Sequence, residues 1–297
     1  MELADYERSV LETDVLDPDD LVLPMLGLAG EIGSLVAQYK KIQRDHVGYR
    51  AFPEEVREEL GDVFWYATAL ARRCGLSLEE ILNENVHKTR ERFLRPAVLE
   101  PHSLFDEIDS PDEQLPRTLD ITFTESLAYD RSSIPVRVVR IYRGAESVGD
   151  PLDDNSKDDD EYRYHDVFHL AHMAVLGWSP VMRSLLRVKR STDRDKDRIQ
   201  DGGRAIAVEE GLSAYVFSAA RSHSFFSTST AVPIEIIKSC RSMTAHLEVL
   251  RRTAQDWEFA ILSGYKVFSH LTANRGGIVH LDLHARTLTY RQPRAAR

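Results

Sequence analysis

The stretch Leu26–Lys41, LGLAGEIGSLVAQYKK, decides how the first part of the chain is read. Within residues 21–44, Leu28, Ile32, Leu35, Val36 and Tyr39 recur at helical spacing, which predicts a helix with a core-facing apolar stripe. Glu31 falls among apolar and small residues, in a setting unlike a solvated helix face. The glycines around it, Gly27, Gly30 and Gly33, each cost a helix about 1 kcal/mol against alanine, and they allow a neighbouring helix or a ligand to come close.

Pro53 followed by Glu54 and Glu55 is a favourable helix start, with acids in the first turn. That helix is expected to run through Trp65 and Leu70 to Cys74, where Gly75 stops it. Ser77 with Glu80 forms a capping box that opens another helix, through about Arg95. With a short helix near residues 3–14, the expectation is a compact four-helix arrangement. Glu55, Glu59 and Asp62 lie at i, i+4 and i+7, so one face of the second long helix carries stacked like charges. Such charges repel unless a cation or partner offsets them. Hard divalent cations with oxygen ligands do so, and Mg²⁺ keeps positions for water and phosphate. Glu55 and Glu59 read equally well as water-facing residues. Asp62 does not, because it leads directly into Val63-Phe64-Trp65-Tyr66.

Three segments, GLAGEIGSLVAQYKK at 27–41, EELGDVFWYATALA at 58–71 and LSLEEILNENVHKTRERF at 76–93, resemble the signature helices of MazG-like nucleotide pyrophosphohydrolases, the all-α NTP pyrophosphatases. The resemblance covers about residues 20–95. It implies a Mg²⁺-dependent enzyme, with Mn²⁺ as the alternative ion, that splits nucleoside triphosphates into monophosphate and pyrophosphate. It also implies a homodimer or homotetramer. Carried over by position, Glu31, Glu59 and Asp62 would be the metal-holding catalytic carboxylates. Asn85 and Lys88 would contact the nucleotide phosphates, joined by Lys41 at the end of the first helix. The pattern departs at Ser34, where the family has a second glutamate, so one first-shell charge is missing. Glu55, one turn before Glu59, is the candidate to compensate. A nucleotide-binding sensor or interaction protein with weakened catalysis is the competing reading.

From Pro96 to Pro116 the sequence turns acidic and proline-bearing, and residues 96–117 are expected to be a linker. The remaining part, 118–297, reads as α+β. Strands are expected at 119–125 and 136–142, an acidic loop at 150–161, and long helices at about 162–190, 203–222 and 233–271. A terminal hairpin is expected around His284-Ala285-Arg286. His165, Asp166, His169 and His172 crowd one expected helix, with the histidines at i, i+4 and i+7. Buried core histidines, a metal site for a second hydrolase, and acid–base or phosphate contact are all compatible with that spacing. Glu209 and Glu210 precede an apolar helix and faintly echo the EELGD segment. The mixed stretch from Arg183 to Arg198 reads as a solvated helix end or loop of local ion pairs, with phosphate binding as the alternative and the acidic loop as its candidate partner.

Composition sets the outer limits. With 297 residues, 42% hydrophobic and 29% charged, the chain reads as a globular protein of roughly two domains. The 38 basic against 48 acidic side chains argue against general nucleic-acid binding. No apolar run approaches the roughly 18 residues of a bilayer span, so no membrane association is expected. Cys74 and Cys240 are the only cysteines, too few for a disulfide framework, and a reducing cytoplasm is the expected compartment. The fold expected is mainly α, a four-helix bundle followed by an α+β domain.

Overall fold

The computed structural model describes residues 1–93, 99, 102–129, 133–157 and 159–292, without the side chains of 87 and 91–93. The chain divides into two compact units, Met1–Phe93 and Leu94–Arg297.

The first unit holds α1 (Leu3–Thr13), α2 (Val22–Asp45), α3 (Phe52–Arg73) and α4 (Leu78–Phe93). The local signals operate as physics requires. Pro53 sits in the first turn of α3 with Glu54 and Glu55, and Gly75 adopts φ +69° just past its end. Ser77 and Glu80 exchange the two capping-box hydrogen bonds, Glu80 N–H to Ser77 Oγ at 3.1 Å and Ser77 N–H to Glu80 Oε2 at 3.3 Å. The first helix is fastened by polar anchors. Trp65 donates to Thr13 Oγ1 at 2.9 Å, and Asp14 accepts from both Arg72 and Arg73 at 2.5 Å.

A short connection makes α2 and α3 an antiparallel pair, and the contacts step in opposite directions along the two helices. Gly27 lies under Tyr66, Glu31 faces Asp62, and Gln38 reaches Glu55 and Glu59. The same register sets Ser34 level with Glu59. A Cβ on Gly27 would stand 2.3 Å from the Tyr66 ring, so this glycine is what lets the helices close there.

The apolar stripe expected to face the core does not do so within this unit. Ile32, Val36 and Tyr39 are 48%, 53% and 58% exposed. The side of α2 applied to α3 is instead the one bearing Gly27, Glu31 and Gln38, rotated by roughly 100° from that stripe. Val22–Gly48 is also long and apolar enough to cross a bilayer by length and composition, with mean hydropathy 1.2, contrary to the expectation from sequence. Its Glu31 and Gln38 are nevertheless engaged with α3.

The second unit is built on a five-stranded antiparallel sheet in the order β3-β2-β1-β4-β5. Its strands are β1 (Thr118–Tyr129), β2 (Pro135–Arg143), β3 (Glu146–Leu152), β4 (Gly276–Asp282) and β5 (Thr287–Arg291). Alternating Leu119, Ile121 and Phe123 of β1 join Val279 and Leu281 of β4 in the core. The hairpin expected at the C-terminus is present, pairing Asp282 with Thr287. By contrast β3 occupies the start of the expected acidic loop.

The unit's helices are α5 (Asp166–Ala171), α6 (Pro180–Leu185), α7 (Gly203–Arg221), α8 (Ile234–Met243) and α9 (Ala254–Asn274), of which α5 and α9 pack on the sheet. The helix expected over 162–190 is broken. A π turn at His172–Leu176 ends at Gly177 with φ +64°, and α6 restarts behind Ser179 and Pro180. The helix expected over 233–271 divides too, because Thr253 and Asp256 form a capping box that starts α9.

The expected linker is structured over its described part. Leu104 and Leu115 lie in the core of the second unit, and buried Asp106 accepts from Arg183 and Arg117 at 2.7 Å each. Residues 96–98, 100 and 101 lie outside the described residues.

Candidate functional site

In the first unit Glu31 of α2 stands near Glu59 and Asp62 of α3, although these three do not bring their donor oxygens within 4.8 Å of one another. Burial raises the pKa of Glu31, and the negative charges of Asp62 and Glu59 raise it further, with Glu59 within hydrogen-bonding reach. The same charges that raise it would favour a cation at that position. Gln38, buried one helical turn beyond Ser34, organises the same cluster. Its Nε2 donates to Glu59 Oε1 at 2.9 Å and to Glu55 Oε2 at 3.4 Å. Its Oε1 accepts from Lys41 Nζ at 2.9 Å and Tyr49 OH at 2.5 Å. Glu55 is therefore tied to the cluster through Gln38, whereas the charges acting on Glu31 are those of Asp62 and Glu59.

Lys41 closes one end of this arrangement, its ammonium 5.7 Å from the Tyr49 ring centroid. Asn85 and Lys88 lie on α4 with exposed side chains. The residue that sequence reading missed is Gln38. Its signal was position: seven residues after Glu31 it returns to the same helix face, in a stretch otherwise suited to apolar residues.

A tighter cluster stands in the second unit. Glu209 of α7 is fully buried. Its Oε2 accepts from Ser179 Oγ at 3.0 Å and from the Val181 N–H at 2.9 Å. The other oxygen, Oε1, lies 3.1 Å from Nδ1 of both His169 and His172. Burial opposes a charge on His169, yet Glu209 and Glu210 outweigh it and raise its pKa to about 10. Burial likewise opposes ionisation of Glu209, but the two histidines hold it at about 2. Asp166 is raised by burial, against the pull of His165 and His169. Among the described residues, His165-Asp166-His169 and His169-His172-Glu209 each bring their donor atoms within 4.8 Å of one another.

Buried arginines fix the end of this histidine segment. The π turn leaves carbonyls without helical partners, and Leu176 O accepts from Arg252 Nε at 2.8 Å while Val175 O accepts from Arg286 Nε at 3.0 Å.

Residues 24–95 match the MazG nucleotide pyrophosphohydrolase domain, and residues 100–294 match the MazG C-terminal domain. The chain belongs to the MazG family. The gene 37 protein of Mycobacterium phage L5 is 35% identical over 69 residues, which is 23% of this chain and 60% of that protein. The chain thus spans about 60% of the length of that curated relative. No solved structure matches.

The first MazG domain is a nucleotide pyrophosphohydrolase domain, and its segment contains Glu31, Glu59, Asp62 and Gln38. The MazG C-terminal domain takes in most of the expected linker and the whole histidine–carboxylate cluster. In that domain the basic stretch is not a solvated surface throughout. Arg183 and Arg190 are buried, paired with Asp106 and with Asp201 and Glu248 respectively. The acidic loop serves another arginine, since Asp154, Asp159 and Glu161 surround buried Arg163 together with Glu125 of β1.

Proposed function

We propose that this chain hydrolyses nucleoside triphosphates to monophosphate and pyrophosphate in a Mg²⁺-dependent reaction at the α2–α3 carboxylates. One observation carries the reading: Glu31 of α2 stands against the like charges of Asp62 and Glu59 of α3, which with burial raise its pKa. Opposed oxygens of this kind suit a hard divalent ion, Mg²⁺ or Mn²⁺. Glu31, Glu59 and Asp62 would hold it, with Ser34 contributing no charge. When bound, the ion supplies charge neutralisation for the phosphates and acidifies a coordinated water.

The chain's own groups have separable tasks. Gln38 aims Glu59 and ties Glu55 beside it. Lys41, held on Gln38 Oε1, offers positive charge to a polyphosphate at the end of the cluster. Lys88 and Asn85 on α4 supply a further cation and an amide to the phosphate chain. No side chain of this set needs to become a covalent nucleophile. The exposed apolar stripe of α2, with Ile32, Val36 and Tyr39, supports association of the bundle with a second copy. The exposed Cys74 and buried Cys240, both free, accord with a reducing cytoplasm.

The deciding experiment follows pyrophosphate release from a panel of NTPs and dNTPs with Mg²⁺ or Mn²⁺. Release is expected from the native protein and should vanish in Glu59→Ala and Asp62→Ala. Nucleotide binding without turnover under every metal would replace hydrolysis with a sensor role.

A further inference from the structure

The buried histidines of the MazG C-terminal domain are arranged as metal ligands are, through what stands behind each ring. His165 Nδ1 lies 2.9 Å from the carbonyl oxygen of Tyr162. A carbonyl only accepts, so the proton sits on Nδ1 and the lone pair is left on Nε2. His169 likewise turns its Nδ1 toward an acceptor, 3.1 Å from Glu209 Oε1 though outside hydrogen-bond geometry. Glu209 cannot swing away, because Ser179 and Val181 hold its other oxygen. Metal-bound histidines characteristically give their remote N–H to a carbonyl or carboxylate in this way.

Both Nε2 atoms then face one carboxylate. Glu210 Oε2 is 3.4 Å from His169 Nε2 and 3.8 Å from His165 Nε2. Asp166 brings a donor oxygen within 4.8 Å of both histidines. Ligands about 2.0–2.1 Å from a common ion stand roughly 3.0–3.4 Å apart in octahedral or tetrahedral shells, a spacing His169 and Glu210 already have, while His165 and Asp166 would draw in on binding. The ring nitrogens of His169 are fully buried, and neither reaches hydrogen-bond geometry with a carboxylate despite lying close to one. Buried polar atoms left in that condition are uncommon.

We propose that His165 and His169, through Nε2, together with the carboxylates of Asp166 and Glu210, hold one divalent transition-metal ion, with Glu209 positioning His169 from behind. Two imidazoles and two carboxylates suit zinc, manganese or ferrous iron better than Mg²⁺, which takes oxygen ligands. The alternative trio of His169, His172 and Glu209 is enclosed, and its carboxylate already serves four groups. Glu210 is 43% exposed, which gives the proposed site a route in from solvent and a coordination position that water can fill.

The test uses the full chain, stripped with a chelator and dialysed against Zn²⁺ or Mn²⁺ in excess Mg²⁺, with bound metal counted by mass spectrometry. About one transition-metal ion per chain is expected, retained in Glu59→Gln and Asp62→Asn. Occupancy should be lost in His165→Gln, and affinity should fall 10-fold or more in Glu210→Gln, whose exposed position leaves folding intact. His172→Gln should keep the ion. Titration of the stripped protein should also raise the Tm of the native chain but not of His165→Gln. A stripped native protein that takes up neither ion overturns the proposal. So does a metal content that falls in His172→Gln but stays unchanged in Glu210→Gln.

Discussion

Gln38 donates its side-chain amide to Glu59 at 2.9 Å, from α2 to the helix that carries Glu59 and Asp62. Because its carbonyl is held in turn by Lys41 and Tyr49, the amide has one orientation and Glu59 is aimed by it. Gln38→Leu keeps the volume and removes all of these bonds. Positioning groups behind metal ligands typically change affinity or activity by 10–100-fold. Pyrophosphate release in Gln38→Leu should fall by about that factor, with part of the loss recovered at high Mg²⁺. Unchanged rates at low Mg²⁺ would remove Gln38 from the site.

Ser34 stands level with Glu59 in the antiparallel register, so a carboxylate there would enter the cluster instead of solvent. Ser34→Glu should tighten Mn²⁺ binding several-fold, read by isothermal titration, and should increase pyrophosphate release at limiting metal. If neither changes, the charge missing at Ser34 is irrelevant to the ion.

Much of the first unit was legible because its signals are local. Pro53, Gly75 and the Ser77–Glu80 box act within a few residues, and the structure places each helix end where they do. The facing of α2 was not legible. Periodicity reports an apolar side but not what covers it, and here the side against α3 carries Gly27, Glu31 and Gln38. The second unit was misread where long-range pairs override local composition. Asp106 and Arg183 look like linker and surface residues in sequence, yet they neutralise each other in the interior although β1–β3 lie between them in the chain. His165, His169 and His172 were visible as a set, but the meeting with Glu209 and Glu210 depends on α7 packing beside α5, which no spacing encodes.

Gly27 and Gly30 are both helical glycines, and they should respond oppositely to alanine. A Cβ at Gly27 runs into the Tyr66 ring, whereas nothing lies within 4 Å of one at Gly30. Overpacking costs typically 1–3 kcal/mol, so Gly27→Ala is expected to lower stability by about that amount. Gly30→Ala gains helix propensity of roughly 0.5–1 kcal/mol. Urea denaturation of the two variants checks the signs. Equal losses would show that α2 and α3 are not closed on Gly27.

Asp14 anchors α1 to the end of α3, and its hydrogen bonds to Arg73 and Arg72 hold its pKa at about 2 against the opposing effect of burial. The unfolded value is about 3.9. Since the folded pKa is the lower one, the contribution is complete above the unfolded pKa and is lost as pH falls through about 2. Asp14→Asn should therefore flatten the acid limb of the stability curve, measured by denaturant midpoints between pH 5 and pH 2. A variant as acid-sensitive as the native chain over that range would rule out this pair as the source.

Arg190 is the strictest case of a basic residue misread as surface. Its guanidinium is buried, with Asp201 Oδ1 and Glu248 Oε1 each at 2.7 Å, and its own N–H donates to Asp201 at 2.8 Å. A buried ion pair adds little net stability compared with apolar packing, but removing one partner leaves the other charges uncompensated, at about 3–5 kcal/mol. Arg190→Met should therefore destabilise the chain by that amount. Arg194→Ala, exposed in the same stretch, should stay within about 0.5 kcal/mol of the native value. Because two acids face Arg190, removing one of them as well should relieve part of the damage, and Arg190→Met combined with Glu248→Gln should be more stable than Arg190→Met alone. Thermal unfolding of the three variants decides the matter. Equal effects at Arg190 and Arg194 would return the stretch to the solvated role its alternating charges suggest.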